Sequence, residues 1–127
     1  MRTGRPNRRM VADVGWQFIA EIHFMPARRI LVLGAAGGTG RHVVAQALGM
    51  GLEVTALVRT PNKLPETGRS LRVVMGDIRT DSPTVRAAYA AQDAVISTLG
   101  VGQSFKSRGL IAQAVPIIIA AMHEHGV

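Results

Sequence analysis

The feature that most constrains this chain is a change of pattern between residues 30 and 50. Ile30-Leu-Val-Leu33 is a continuous apolar run ending in glycine, the pattern of a short strand covered on both faces. Gly34-Ala-Ala-Gly37-Gly38-Thr39-Gly40 follows at once. Val43, Val44, Ala47 and Leu48 then recur at helical spacing, with Gly51 where a helix would stop. A strand, a glycine turn and a helix in succession leave the first helical amides without intrahelical acceptors. Those amides and the helix dipole favour an anion. Gly34 permits a tight exit from the strand, Gly37 a close backbone approach to a pyrophosphate, and Gly40 close packing of helix on strand. The spacing is G-x-x-G-x-x-G rather than G-x-G-x-x-G. The strand-to-helix context makes this a candidate dinucleotide site; the competing reading is a glycine-rich turn that binds nothing.

The rest of the chain repeats the alternation. Residues 53–58 read as a second strand and 60–70, with Pro61, Asn62, Pro65 and Gly68, as a loop. Leu71 to Met75 reads as a third strand ended by Gly76-Asp77. Ser82-Pro83 has the form of a helix cap with proline at the first helical position, opening a helix to about Ala91. Ala94 to Thr98 reads as a fourth strand, 101–106 as a polar loop and 107–124 as a helix stopped by Gly126. Pro116 lies inside that helix, where it removes a donor and crowds the previous turn, so a kink or two shorter helices are expected. Alternation of this kind predicts an α/β fold with a parallel sheet, helices on both faces and right-handed crossovers. Strand order 3-2-1-4 would put a ligand at the carboxyl ends of strands one and four.

The end of the second strand separates the two nicotinamide dinucleotides. NAD sites place an acid there for the ribose 2′-hydroxyl. This chain has Arg59, 19 residues after Gly40. An acid would repel a 2′-phosphate, whereas arginine grips it with a two-pronged fork. Arg41 and Lys63 add charge nearby, so NADP(H) is expected over NAD(H); singly, each is also readable as a surface charge. Asp77, after the third strand, either accepts from the adenine amino group or serves only the turn. Ser97 to Gly100 close the fourth strand near the expected nicotinamide ribose, and the small residues among them permit close approach.

Composition bounds the alternatives. The 127 residues suit one domain and include no cysteine, which excludes disulfides and thiolate zinc sites. No apolar run reaches the ~20 residues of a membrane span, and a cytoplasmic protein is expected. The net charge is +7, of which +4 falls on residues 1–29. A basic tail can bind nucleic acid, but no recognition motif accompanies it and none is expected to be bound. Residues 1–29 are therefore read as a basic leader, disordered or non-native, and 30–127 as the domain. A native start at Met25 is one expectation, checked by intact mass. His23, His42, His123 and His125 form no metal-ligand pattern and are expected at the surface. Tyr89 stands in no Tyr-x-x-x-Lys arrangement and is expected to be a packing residue. Ser97 and Ser104 have no identifiable base, so no catalytic group is assigned.

GAAGGTGRHVVAQAL, EVTALVR, VVMGD and QDAVISTLG, in this order and spacing, resemble the atypical short-chain dehydrogenase/reductase group of Rossmann-type NAD(P)-binding proteins, in particular biliverdin-IXβ/flavin reductases and their bacterial relatives. The resemblance covers about residues 29–127. It implies that Gly34, Gly37, Gly38, Thr39 and Gly40 hold the pyrophosphate, Arg59 and Lys63 the 2′-phosphate, Asp77 and Ile78 the adenine, and that Leu99 and Gly100 border the nicotinamide. Ala36 departs from the pattern, standing where a threonine is common. The resemblance also implies a fifth strand with a serine beyond Val127, followed by substrate segments, so the domain is expected to be incomplete. The fourth strand would then be an edge, and Ile117, Ile118 and Ile119 would lose cover, favouring self-association. The resemblance thus implies a cofactor-binding domain of a reductase moving hydride to a small conjugated acceptor such as a flavin. A non-catalytic redox sensor and an inactive truncated product remain as alternatives.

Overall fold

The computed structural model describes residues 27–60, 64, 68–80, 82–100 and 109–127. Lys63, the loop at 101–106 and nearly all of the leader lie outside the described residues. Four strands are present: β1 (Arg29–Leu33), β2 (Glu53–Val58), β3 (Leu71–Met75) and β4 (Ala94–Ser97). They form one sheet in the order β3-β2-β1-β4, with every pairing parallel. Both the α/β class and the strand order expected from the sequence are therefore present.

Three helices connect the strands: α1 (Gly38–Gly49), α2 (Pro83–Ala88) and α3 (Leu110–His125). Side chains along a strand alternate between faces, and the core divides accordingly. Ile30 and Val32 of β1, with Val54, Ala56 and Val58 of β2, pack against Val44 and Ala47 of α1. Leu31, Leu33, Leu57 and Val74 face the other way, onto Val85, Ala88 and Tyr89 around α2 and onto Ala114, Ile118 and Ala121 of α3. β1 and β2 bury four and five residues respectively, which is why their sequences are mostly apolar, with buried Thr55 in β2 accepting a hydrogen bond from Gln92.

Two helix expectations are corrected. α2 ends at Ala88 rather than Ala91. Tyr89 turns inward to 1% exposure, Ala91 takes φ 59°, and the Gln92 side-chain amide donates to Ala88 O at 3.0 Å, closing the last turn. α3 is a single helix through Pro116, not two. The proline and Ala112, four residues earlier, are both exposed. Thus the carbonyl that loses its donor can turn to water instead of being orphaned in the core. The start of α3 also moves, to Leu110, because Gly109 before it takes φ 88° and cannot be helical.

Among the histidines, His42 and His123 are exposed. His125 is half-buried, its ring stacked on Tyr89 at a centroid distance of 6.4 Å. His23 lies outside the described residues. Tyr89 is a core residue, and burial pushes its hydroxyl up to about 12. Ile118 is buried, Ile117 half-buried and Ile119 50% exposed.

Candidate functional site

All four strands point their carboxyl ends into one cleft of about 690 Å³. The chain leaves β1 for α1 on one face of the sheet and leaves β4 toward α3 on the other. The crevice between those exits is where ligands bind in open parallel sheets.

Gly34 closes β1 with φ 74°, a left-handed conformation that glycine adopts without steric cost. A Cβ there would lie 3.1 Å from Thr98 C and 3.2 Å from Leu99 N, so a side chain would press on the end of β4. Gly37 caps α1, donating its amide to Gly34 O at 3.0 Å. No side chain caps α1. Arg41 is the first residue of the helix whose amide finds a carbonyl, that of Gly37 at 3.1 Å. The amides of Gly38, Thr39 and Gly40 therefore have no intrahelical acceptor and make a row of donors. Gly40 is demanded by packing: a Cβ would overlap Gly34 O and lie 2.8 Å from Ala35 Cα. Gly38 is not, since a Cβ there meets nothing within 4 Å. A row of free amides, beside a position left open by the protein's own packing, is a cradle that fits a pyrophosphate.

Most of the sequence-derived site residues converge. Gly34 and Gly37 from the β1 exit, Arg59 from β2, Asp77 and Ile78 from β3, and Leu99 and Gly100 from β4 all line the cleft. Gly38, Thr39 and Arg41 are exposed on the first turn of α1 and Gly40 is buried beneath it; none of the four forms the cleft wall. Asp77 differs from a free adenine acceptor. Arg79 Nε reaches Oδ1 at 3.0 Å and its Nη2 reaches Oδ2 at 2.6 Å, so both carboxylate oxygens are engaged. The hydrogen bonds from the Arg79 side chain, with lesser help from the charges of Arg79 and Arg59, hold the carboxyl down at about 2. It is ionised at neutral pH.

The sequence reading took Thr98 only as part of the stretch beside the nicotinamide ribose, and it missed Arg79 and Gln113 in the cleft. Thr98 donates its hydroxyl to Leu33 O at 2.8 Å and lies 3.0 Å from Gly34 O, bracing the glycine turn against β4. Arg79 and Gln113 add polar wall. Thr98 was signalled by a threonine closing an apolar strand, and Arg79 by the Asp-x-Arg spacing of a tight turn. Gln113 gave no local signal, because only the path of α3 brings it to the crevice. Among the described residues no cluster of metal-ligating side chains occurs, and no helix is long and apolar enough to cross a membrane.

Solved structures share this fold. The chain is similar to a Rossmann-fold NAD(P)-binding family protein from Shigella flexneri, at 26% identity and TM-score 0.65, covering 80% of this chain and 48% of that one. It is similar to uronate dehydrogenase from Agrobacterium tumefaciens at 26% identity and TM-score 0.62, covering 78% and 37%. A protein from Streptococcus pneumoniae, provisionally named an NADH-flavin reductase, matches at 22% identity and TM-score 0.61, covering 75% and 41%, a likeness of fold alone. The chain spans less than half the length of each. A family model described as NAD(P)H-binding matches residues 34–127, and the chain belongs to that NAD(P)H-binding family.

Proposed function

We propose that this chain is the NADP(H)-binding domain of a reductase that moves hydride to a small conjugated acceptor such as a flavin. The observation that carries the cofactor preference is Arg59. It ends β2 on the cleft wall, in the place where an acid would receive the ribose 2′-hydroxyl of NAD. In this reading the pyrophosphate lies against the amides of Gly38, Thr39 and Gly40, with Gly34 and Gly37 shaping the turn. Arg59 holds the 2′-phosphate, with Arg41 and Lys63 adding charge. Ile78 packs on the adenine, and Leu99 and Gly100 border the nicotinamide. The bound dinucleotide supplies the hydride; the protein orients it and presents the acceptor. No acceptor pocket or proton donor is assigned to residues of this chain.

Fluorescence titration tests the preference. NADPH is expected to bind at least about tenfold more tightly than NADH, since one charge-assisted hydrogen bond is worth ~1.5–3 kcal/mol. Arg59→Ala should remove most of that difference by weakening NADPH while NADH changes little. Equal or tighter binding of NADH by the native chain would refute the assignment, as would equal losses for both cofactors in the variant.

A second reading, a module that binds the dinucleotide without catalysis, draws on Tyr89. It is the chain's one tyrosine, and it is packed in the core against His125 rather than facing the cleft. Stoichiometric NADPH binding without oxidation in the presence of free flavin would favour this reading.

A further inference from the structure

The acid that shares the cleft with Arg59 does not stand alone. Four interactions tie Asp77 to Arg79. The Arg79 amide donates to Oδ1 at 2.9 Å, Nε reaches Oδ1 at 3.0 Å and Oδ2 at 3.2 Å, and Nη2 reaches Oδ2 at 2.6 Å. The turn that aims Arg79 backward is itself fixed, since Thr80 N and Thr80 Oγ1 donate to Asp77 O at 2.9 and 2.7 Å. Both side chains line the cleft. The charge of Arg59 also reaches Asp77.

This geometry resolves a conflict that Arg59 alone leaves open. An unpaired carboxylate in the same cleft offsets the charge of Arg59, so a phosphate brought there would meet little net attraction. It would also face a negative group at short range. Arg79 pairs with the carboxylate and engages both of its oxygens. The three groups then carry a net positive charge, and neither carboxylate oxygen is left to repel an incoming anion.

We infer that Arg79 is a specificity-determining positioning residue, which makes the adenine end accept a 2′-phosphorylated ribose by masking Asp77. The inference rests on the NADP(H) reading above and adds the device that makes it compatible with an acid in the cleft. An unphosphorylated ribose is neutral and is indifferent to the mask. Once Arg79 is removed, Asp77 is free to accept from a hydroxyl or amino group, so NADH binding is held or improved.

The test is titration of the whole chain with NADPH and with NADH. It uses the native protein, Arg79→Ala, Arg79→Lys and the double variant Asp77→Asn with Arg79→Ala, each checked for an unchanged far-ultraviolet spectrum. Arg79→Ala should weaken NADPH about tenfold, the scale of one screened unit-charge interaction at close range, with NADH unchanged or tighter. Arg79→Lys, which keeps the charge but loses the two-pronged fit, should fall between. The double variant should recover most of the lost NADPH affinity, because the unmasked charge is gone. An NADPH-to-NADH ratio unchanged by Arg79→Ala overturns the inference. So does a double variant as weak for NADPH as the single one, which would make Arg79 a direct phosphate ligand. Should Arg79→Ala not fold, the Arg79→Lys ratio decides in the same way. Native chain preferring NADH would sink the parent reading. A native preference for NADPH that survives the loss of Arg79 would sink this inference alone.

Discussion

Gly38 and Gly40 are two positions apart on the same turn, yet they are glycine for different reasons, and the difference is measurable. At Gly40 an added methyl would overlap Gly34 O and press on Ala35 Cα, both backbone. Backbone cannot swing aside as a side-chain tip can. Gly40→Ala should therefore cost roughly 3 kcal/mol of stability, the upper range of overpacking. At Gly38 the added methyl meets nothing. Alanine is also the better helix former, so Gly38→Ala should leave stability unchanged or raise it by up to about 1 kcal/mol. It should nevertheless weaken NADPH about tenfold or more, because the methyl stands where the pyrophosphate must approach. Paired urea melts and cofactor titrations check both halves; a Gly38→Ala protein with native affinity would count against the cradle. The glycine turn and the position of Arg59 on the cleft wall were legible in the sequence because both follow directly from the strands that precede them. The masking of Asp77 was half legible: the i, i+2 spacing is local, but the sequence does not say whether the guanidinium folds back. Gln113 was not legible as a site residue, and Thr98 only as part of the stretch closing β4, because the brace on the glycine turn exists only once β4 lies beside β1.

At the scale of elements, the strands were readable and the helix ends were not. β1 and β2 are covered on both faces, so each is written as a mostly apolar run with glycine, or a glycine-bearing loop, beyond it. α2 stopped early for a tertiary reason: Tyr89 is drawn into the core and Gln92 reaches back to close the turn. No local pattern announces either event. α3 corrects one of the two expected outcomes, since two shorter helices are not formed at Pro116. Ala114, Ile118 and Ala121 are buried on one face of α3, spanning both sides of the proline. Burial along that face holds the two halves in register, while Pro116 points to water. The helix still carries the cost of a missing donor. Pro116→Ala restores it, a gain of ~3 kcal/mol in a helix interior, offset by ~1 kcal/mol for the freer unfolded chain. The net expectation is a protein more stable by about 2 kcal/mol in urea unfolding, with no change in cofactor affinity. Unchanged or reduced stability would mean that the helix has already relaxed around the proline.

At the scale of the whole molecule, two opposing terms act on the same surface. Among the described residues β4 pairs with β1 alone, so its outer edge carries unpaired backbone groups, with Ile96 37% exposed on it. α3 adds a stripe of large apolar residues spaced four apart: Ile111, Val115 and Ile119, exposed by 46%, 43% and 50%. An open strand edge and an exposed apolar helix face each favour association of copies. Against it stands a net charge of +7, which makes two copies repel. The attractive term is short-ranged and barely sensitive to salt. The repulsive one extends about 10 Å at 0.1 M salt and only about 3 Å at 1 M. Added salt removes the repulsion and leaves the contact, so the chain should self-associate at micromolar concentration and do so more strongly as sodium chloride rises. Sedimentation velocity across that range checks the sign: a stable monomer at every salt concentration would remove the edge and stripe as an interface. Val115→Lys with Ile119→Lys should restore the monomer at high salt while leaving NADPH binding intact, because neither residue lines the cleft.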